Sequence, residues 1–339
     1  MGAVRLGVRQ RPPEHPDLLS PVFWSNERVV VLDQRRLPGE EVWTAYDAPE
    51  DLVRAVREME VRGAPAIGCA GAFAVALLAR LGLHGAELRR RMREIVEARP
   101  TAVNLAAAVH RMANALTMGT DPATEARAIW ADDLAACRSI GAHGAALLPD
   151  EGTVLTHCNA GALATAGYGT ALGVVRAAIA AGKRIRVLCG ETRPWLQGAR
   201  LSAWELAQDG IPVEVIVDGA AAHFLSRGEI AAVIVGADRI ARNGDVANKI
   251  GTVGLAAAAS TFGVPFYVAA PMTSVDRLTA DGGGIPLEVR PADEVALLGG
   301  QRLVPENAVL RNPVFDVTPA RLIAAIVVET GVLRPPFGF

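Results

Sequence analysis

The residues best suited to chemistry sit in Thr156-His157-Cys158-Asn159-Ala160-Gly161, which closes a β-branched run begun at Thr153. A thiol between a strand end and a following helix would face unpaired amide N–H groups, which lower its pKa and suit a bound anion. Apolar flanks act in the opposite direction by disfavouring the thiolate. Cys158 therefore reads as a nucleophile or acid, or as a small buried hydrophobe. Asp238, in Gly236-Ala-Asp-Arg239 after an apolar run, reads as a carboxyl group with a raised pKa or as a helix cap. Asn248-Lys249-Ile-Gly-Thr252 reads as a helix start and also as a phosphate grip. Arg62-Gly63-Ala64-Pro65 opens a helix with an arginine beside its first amides, and Arg99-Pro-Thr-Ala-Val-Asn104 repeats the arrangement. Each suits an anion, and each could equally be an interhelix turn. In Glu191-Thr-Arg-Pro194 and Gln197-Gly-Ala-Arg200, the arginines are site candidates or solvated helix charges.

The elements that carry these residues follow from hydropathy. After a proline-rich leader, Arg28–Gln34 and Glu41–Ala45 predict two strands. Helical patterns follow at 51–61, 66–81, 86–97, 102–116 and 121–148. From residue 153 short apolar runs (153–156, 186–189, 213–217, 232–235, 266–270) alternate with helical stretches (162–181, 198–208, 220–227, 251–262). That grammar predicts an α/β fold: a mostly helical N-terminal domain with a small β entry over 1–148, then a doubly wound parallel-sheet, Rossmann-like domain over 149–339. Ligands in such sheets bind beyond the carboxyl ends of the strands, where the polar clusters fall. The tail Arg334–Phe339 is expected to be a surface strap or a loose end.

Composition narrows the class. The 339 residues carry 34 Lys+Arg against 36 Asp+Glu, a formal charge of -2, with no polybasic face for nucleic acid or anionic membrane. Four scattered cysteines with no CxxC pair argue for a reducing compartment and against structural zinc. Neither a secretory leader nor an apolar run near the roughly 20 residues of a membrane span is present, so a cytoplasmic protein is expected. GxxxxGK[ST] is absent. Gly167-Tyr168-Gly169 falls inside the expected helix, so dinucleotide binding has little support.

In chain order, Leu32-Asp-Gln34, Arg62–Gly68, Arg99–Leu105, Thr156-His-Cys-Asn-Ala-Gly161 through Gly173, Glu191–Pro194 with Gln197–Arg200, Gly236–Arg239, Asn248–Thr252 and Asn312–Pro319 resemble the methylthioribose-1-phosphate isomerase family of methionine salvage. That family belongs to a wider group that includes the regulatory subunits of initiation factor 2B, which share the fold but not the cysteine motif. The resemblance implies an aldose-ketose isomerase without cofactor or metal, acting as a homodimer. It implies Cys158 and Asp238 as the catalytic pair and Arg62, Gly63, Ala64, Arg99, Gln197, Asn248 and Lys249 as substrate contacts. Cys189-Gly190 departs from the acidic pair expected before Glu191, and Asp281–Gly284 is looser than usual. The substrate implied is 5-methylthioribose 1-phosphate. Its ring must open with the phosphate attached, which calls for a general acid at the ring oxygen and transfer of hydrogen from C2 to C1 as a proton or a hydride. Ala160, Ala162, Leu163 and Tyr168 are expected to line the site and exclude water. The rivals are an isomerase of 5-deoxyribose 1-phosphate or ribose 1,5-bisphosphate, and a non-catalytic regulatory subunit.

Overall fold

The computed structural model describes residues 3–99 and 102–339, so Pro100 and Thr101 of the Arg99 motif lie outside the described residues. Strands β1 (Val4–Leu6), β2 (Val22–Ser25), β3 (Arg28–Leu32) and β4 (Trp43–Tyr46) form an antiparallel sheet in the order β1-β4-β3-β2. β3 and β4 fall on the expected β-branched and aromatic runs. The leader holds β1 and β2 with too little alternation to announce them. Helices α1 (Pro49–Arg57), α2 (Ala64–Arg80), α3 (Gly85–Val96), α4 (Val103–Thr117) and α5 (Pro122–Ala145) follow. α2 is rich in alanine and glycine and almost wholly buried. α5 starts on an Asp121 cap that accepts from the Thr124 N–H, with proline in its first turn, and runs unbroken for 24 residues.

The second half alternates as expected: β5 (Glu151–Thr156), α6 (Ala171–Ala180), β6 (Arg184–Gly190), α7 (Ala203–Gln208), β7 (Val213–Ile216), α8 (Ala221–Ser226) and β8 (Ala232–Val235). Next come β9 (Arg239–Ala241) and β10 (Val246–Lys249), then α9 (Thr252–Thr261), β11 (Phe266–Ala269), β12 (Val275–Asp276) and α10 (Asp293–Ala296). The chain ends with β13 (Leu297–Leu298), β14 (Gln301–Arg302), β15 (Phe315–Thr318), β16 (Ala325–Val328) and β17 (Gly331–Leu333). The main sheet has the order β17-β16-β11-β8-β5-β6-β7, parallel except for the β17 edge. Alternate residues of each strand serve opposite faces. Val154 and Ile234 pack with α6 and the end of α5, whereas Leu155 and Val235 pack with α8 and α9. Among the described residues no helix is long and apolar enough to cross a membrane.

Two local readings are corrected, and the open reading of the tail is decided. The helix expected over 162–181 is a single 3-10 turn, Ala162–Ala164, then a loop, then α6. Gly167 and Gly169 take φ of 143° and 89°, Gly161 bridges to Gly169, and the Thr165 hydroxyl accepts from the N–H groups of both 167 and 169. Small residues at helical spacing here serve a folded loop. Asn248 and Lys249 are strand residues, not a helix start, because β9 and β10 form a hairpin turned by Asn243-Gly244-Asp245 within a second sheet, β12-β9-β10-β15. The tail is a strap: Phe337 and Phe339 pack on the α8/α9 side of the sheet, and the Phe339 N–H donates to the Arg242 carbonyl at 3.1 Å.

Candidate active site

From β5 the chain proceeds outward to β6, and from β8 to β11 in the opposite direction, so the β5/β8 boundary is the switch point of the sheet. Ligands of doubly wound sheets sit in the crevice this opens beyond the strand ends. Cys158 follows β5 and Asp238 follows β8. A cleft lies there, and it is lined by Cys158, Asp238, Arg62, Gly63, Ala64, Arg99, Gln197, Asn248 and Lys249, the residues that the family resemblance implies as catalytic pair and substrate contacts.

The positive character around Cys158 does not come from a helix start, since no helix follows it directly. Arg62 and Lys249 supply it, both nearly buried at 8% and 5% exposure. Arg62 is fixed by donating from Nη1 to Asn159 Oδ1 at 2.7 Å and from Nη2 to the Asn159 carbonyl at 2.9 Å. Gly63 precedes α2 with φ 90°, where an added Cβ would fall 2.5 Å from the Ala164 Cα, so the turn requires glycine. The Lys249 ammonium lies 4.1 Å from the centre of the Phe315 ring. Gln197 has a buried Oε1 with no hydrogen-bond partner among the described residues, an acceptor open to a ligand.

Burial pushes the Cys158 thiol up against the pull of Arg62 and Lys249, so the thiol form dominates at neutral pH. Burial likewise raises the Asp238 carboxyl, while Lys249, Arg62, Arg99 and Arg290 draw it down. Lys249 itself is lowered by desolvation. His157 is lowered by burial and its Nε2 meets the Ile250 carbonyl at 2.8 Å, so the neutral ring anchors the strand end. The Cys158 backbone is left-handed, φ 62°, with its N–H donating to Thr192 Oγ1 at 2.8 Å and its carbonyl accepting from Ser202 Oγ at 2.7 Å.

Of the lining expected from the sequence only Ala160 borders the cleft. Ala162 and Leu163 are buried in packing, and Tyr168 lies in the loop that replaces the expected helix. The apolar wall comes instead from Met59, Trp195, Pro271 and Phe315. Arg290 also lines the cleft, from an irregular stretch whose sequence carries no periodic signal. Arg193 and Arg200 serve structure: Arg200 stacks 4.3 Å from the Trp195 ring and donates to the carbonyls of Gln34, Arg35 and Leu37, and Arg193 donates to the Val295 carbonyl. Asp218 accepts from the N–H groups of Thr192 and Arg193. No metal-binding cluster of His, Cys, Asp and Glu occurs among the described residues.

A profile of the Initiation factor 2 subunit family matches residues 60–335. A methylthioribose-1-phosphate isomerase of Anaeromyxobacter sp. (strain Fw109-5) is 56% identical over 328 residues, covering 95% of this chain and 97% of the relative. The crystal structure of 5-methylthioribose 1-phosphate isomerase from Pyrococcus horikoshii OT3 matches with a TM-score of 0.87 at 41% identity, over 98% of this chain and 97% of that one. That of translation initiation factor eIF-2B, subunit delta, from A. fulgidus matches with a TM-score of 0.84 at 40% identity, over 94% of this chain and 96% of that one. The chain belongs to the methylthioribose-1-phosphate isomerases within the Initiation factor 2 subunit family.

Proposed function

We propose that this cleft converts 5-methylthio-α-D-ribose 1-phosphate to 5-methylthio-D-ribulose 1-phosphate, an aldose-ketose isomerisation. One observation carries the reading: a thiol and a carboxyl group flank the switch point and share a cleft with buried cations. Arg62, Lys249 and the first amides of α2 hold the phosphate, with Arg99, Gln197 and Asn248 as further contacts. In this scheme residues 1–148 supply Arg62, Gly63, Ala64 and Arg99, and residues 149–339 supply the catalytic pair.

Asp238 gives its proton to the ring oxygen as the C1–O bond breaks, leaving an oxocarbenium centre at C1 next to the phosphate ester. A neutral Cys158 thiol is a poor base for the C2 hydrogen, which favours a direct shift of that hydrogen with its electron pair from C2 to C1. The C2 hydroxyl then returns its proton to the Asp238 carboxylate as the ketone forms, so the acid is regenerated. Cys158 polarises the site as a hydrogen-bond donor, and the Met59, Trp195 and Phe315 wall keeps water from the cation.

Incubating the full chain with 5-methylthioribose 1-phosphate in deuterated water tests this. Ketose without solvent label at C1 is expected. Label at C1 would replace the hydride route by an enediol route with Cys158 as base, and absence of ketose would overturn the isomerase reading in favour of a non-catalytic subunit. The free state of all four cysteines supports work in the cytoplasm. The family resemblance supports a homodimer, which light scattering reads directly.

A further inference from the structure

The cations of the cleft are of two kinds. Neither Arg62 nor Lys249 is ion-paired to a carboxylate among the described residues; they meet the oxygens of Asn159 and the Phe315 ring. Arg99 and Arg290 instead share Glu288: Arg99 Nη2 lies 3.7 Å from its Oε2, and Arg290 Nε lies 3.2 Å from its Oε1. Arg290 is fixed further. Its Nη1 donates to Glu294 Oε1 at 3.2 Å and to Met59 Sδ at 3.3 Å, and Glu294 in turn accepts from Asn312 Nδ2 at 3.1 Å. Met59 has a left-handed backbone, φ 63°, which a non-glycine residue keeps only where its surroundings demand it. Arg290 exposes 11% of its side chain and lines the cleft, and its Nη2 donates no hydrogen bond among the described residues. It stands near enough to Arg62, Arg99 and Lys249 to lower the pKa of each.

The difference in pairing decides what each cation can hold. A phosphate dianion gains most from charges that no carboxylate offsets, which are those of Arg62 and Lys249. An arginine already offset by two carboxylates offers a fixed N–H more than a net charge, and that suits a neutral oxygen such as a sugar hydroxyl. In an α-ribofuranosyl 1-phosphate the C1 phosphate and the C2 and C3 hydroxyl groups leave the same face of the ring. A wall of cations that holds the phosphate therefore continues along the two hydroxyls. A cation donating to the C2 oxygen would oppose the departure of hydride from C2, where positive charge develops, so the C3 hydroxyl is the partner left. We infer that Arg290 is a further substrate contact, donating from Nη2 to the C3 hydroxyl, and that Glu294 is the residue that positions it. This assignment rests on the isomerase reading.

The test compares kcat/KM for 5-methylthioribose 1-phosphate and its 3-deoxy analogue in the wild type, Arg290→Met and Glu294→Gln, with inorganic phosphate as a competing inhibitor. In the wild type the analogue should fall about tenfold to a hundredfold below the parent, the scale of a hydrogen bond to a charged group. Arg290→Met should lower the parent by a similar factor and leave the analogue nearly unchanged, so that the two converge. Glu294→Gln keeps Arg290 but loosens its Nη1, and it should narrow the gap several-fold, whereas general damage to the site would lower both substrates alike. The inhibition constant of inorganic phosphate should stay at its wild-type value in both variants. A wild type that does not discriminate, or a gap that persists in both variants, would overturn the assignment alone. Phosphate inhibition weakened in step with the parent substrate would also overturn it, by moving Arg290 to the phosphate. If the melting temperature shows that Arg290→Met does not fold, Glu294→Gln decides. Turnover of neither substrate by the wild type would overturn the isomerase reading and this assignment together.

Discussion

The two sides of the switch point are built differently. On the Cys158 side, the left-handed backbone is gripped through Thr192 and Ser202, and Asn159 is held by Arg62 and donates to Ser202 and Glu205. Glu205 is fully buried; it also accepts from the Ala162 N–H at 2.7 Å and pairs with Arg176 at 2.8 Å. On the Asp238 side, the backbone N–H donates to the Ala247 carbonyl at 3.0 Å, and no hydrogen bond to the carboxylate occurs among the described residues. A residue held in a costly backbone conformation needs surroundings that over-determine it. A carboxyl group that gives and recovers a proton needs its oxygens open to the substrate.

Substitutions sharpen or break this contrast. The largest effect is expected at the two groups themselves: Cys158→Ser and Asp238→Asn should each lower kcat by about a hundredfold or more with the melting temperature near wild type. Wild-type-like rates in either would remove that residue from the mechanism. Glu205→Ala, well behind the Cys158 loop, takes the acceptor from the Asn159 amide and the Ala162 N–H while Arg176 keeps Asp209, and should cost about 1–3 kcal/mol for each orphaned donor in denaturant unfolding. A cost near zero would mean that the network does not hold the loop.

Asp133 supports the same loop by accepting from the Ala166 N–H at 2.7 Å, and burial pushes its carboxyl up to about 6. Because the folded state holds this proton more tightly than the unfolded chain, its contribution is fully present below about pH 4 and is lost as pH rises through about 6. The loss amounts to about 3 kcal/mol. Asp133→Asn should therefore flatten the wild-type decline over that window and match or exceed wild-type stability at pH 7.5. Parallel pH profiles for the two proteins would refute it. The smallest effect is expected for Ser202→Ala, about 1 kcal/mol in stability with a several-fold drop in kcat; full activity would show that the Thr192 contact alone suffices.

The parallel sheet was legible because buried strands read as continuous apolar runs, and with it the strand ends where Cys158 and Asp238 lie. The loop at 162–170 was not, because glycine and alanine at helical spacing serve a helix and a tight loop alike until Thr165 and the positive φ at Gly167 decide. The β9–β10 hairpin was hidden for a related reason. Its strands are only 3 and 4 residues long, and Asn248-Lys249 beside Gly251 imitates a helix start. Trp195 stood beside residues already singled out, whereas Arg290 reaches the cleft only by long-range folding. The arginines at 193 and 200 fit neither of the readings open to them, site candidate or solvated helix charge, because the carbonyl groups that claim them come from distant segments.

Helix α5 gives Trp130 and Leu134 to the core of the N-terminal half and Ile140 and Ala145 to one face of the parallel sheet. A single rigid rod is thus mortised into both halves of the molecule. Splitting the chain at 148/149 would strip the sheet of part of its cladding and leave the rod's far end greasy and bare. The two fragments should be recovered together or not at all, and a swinging of one half against the other would have to carry this shaft along as a lever.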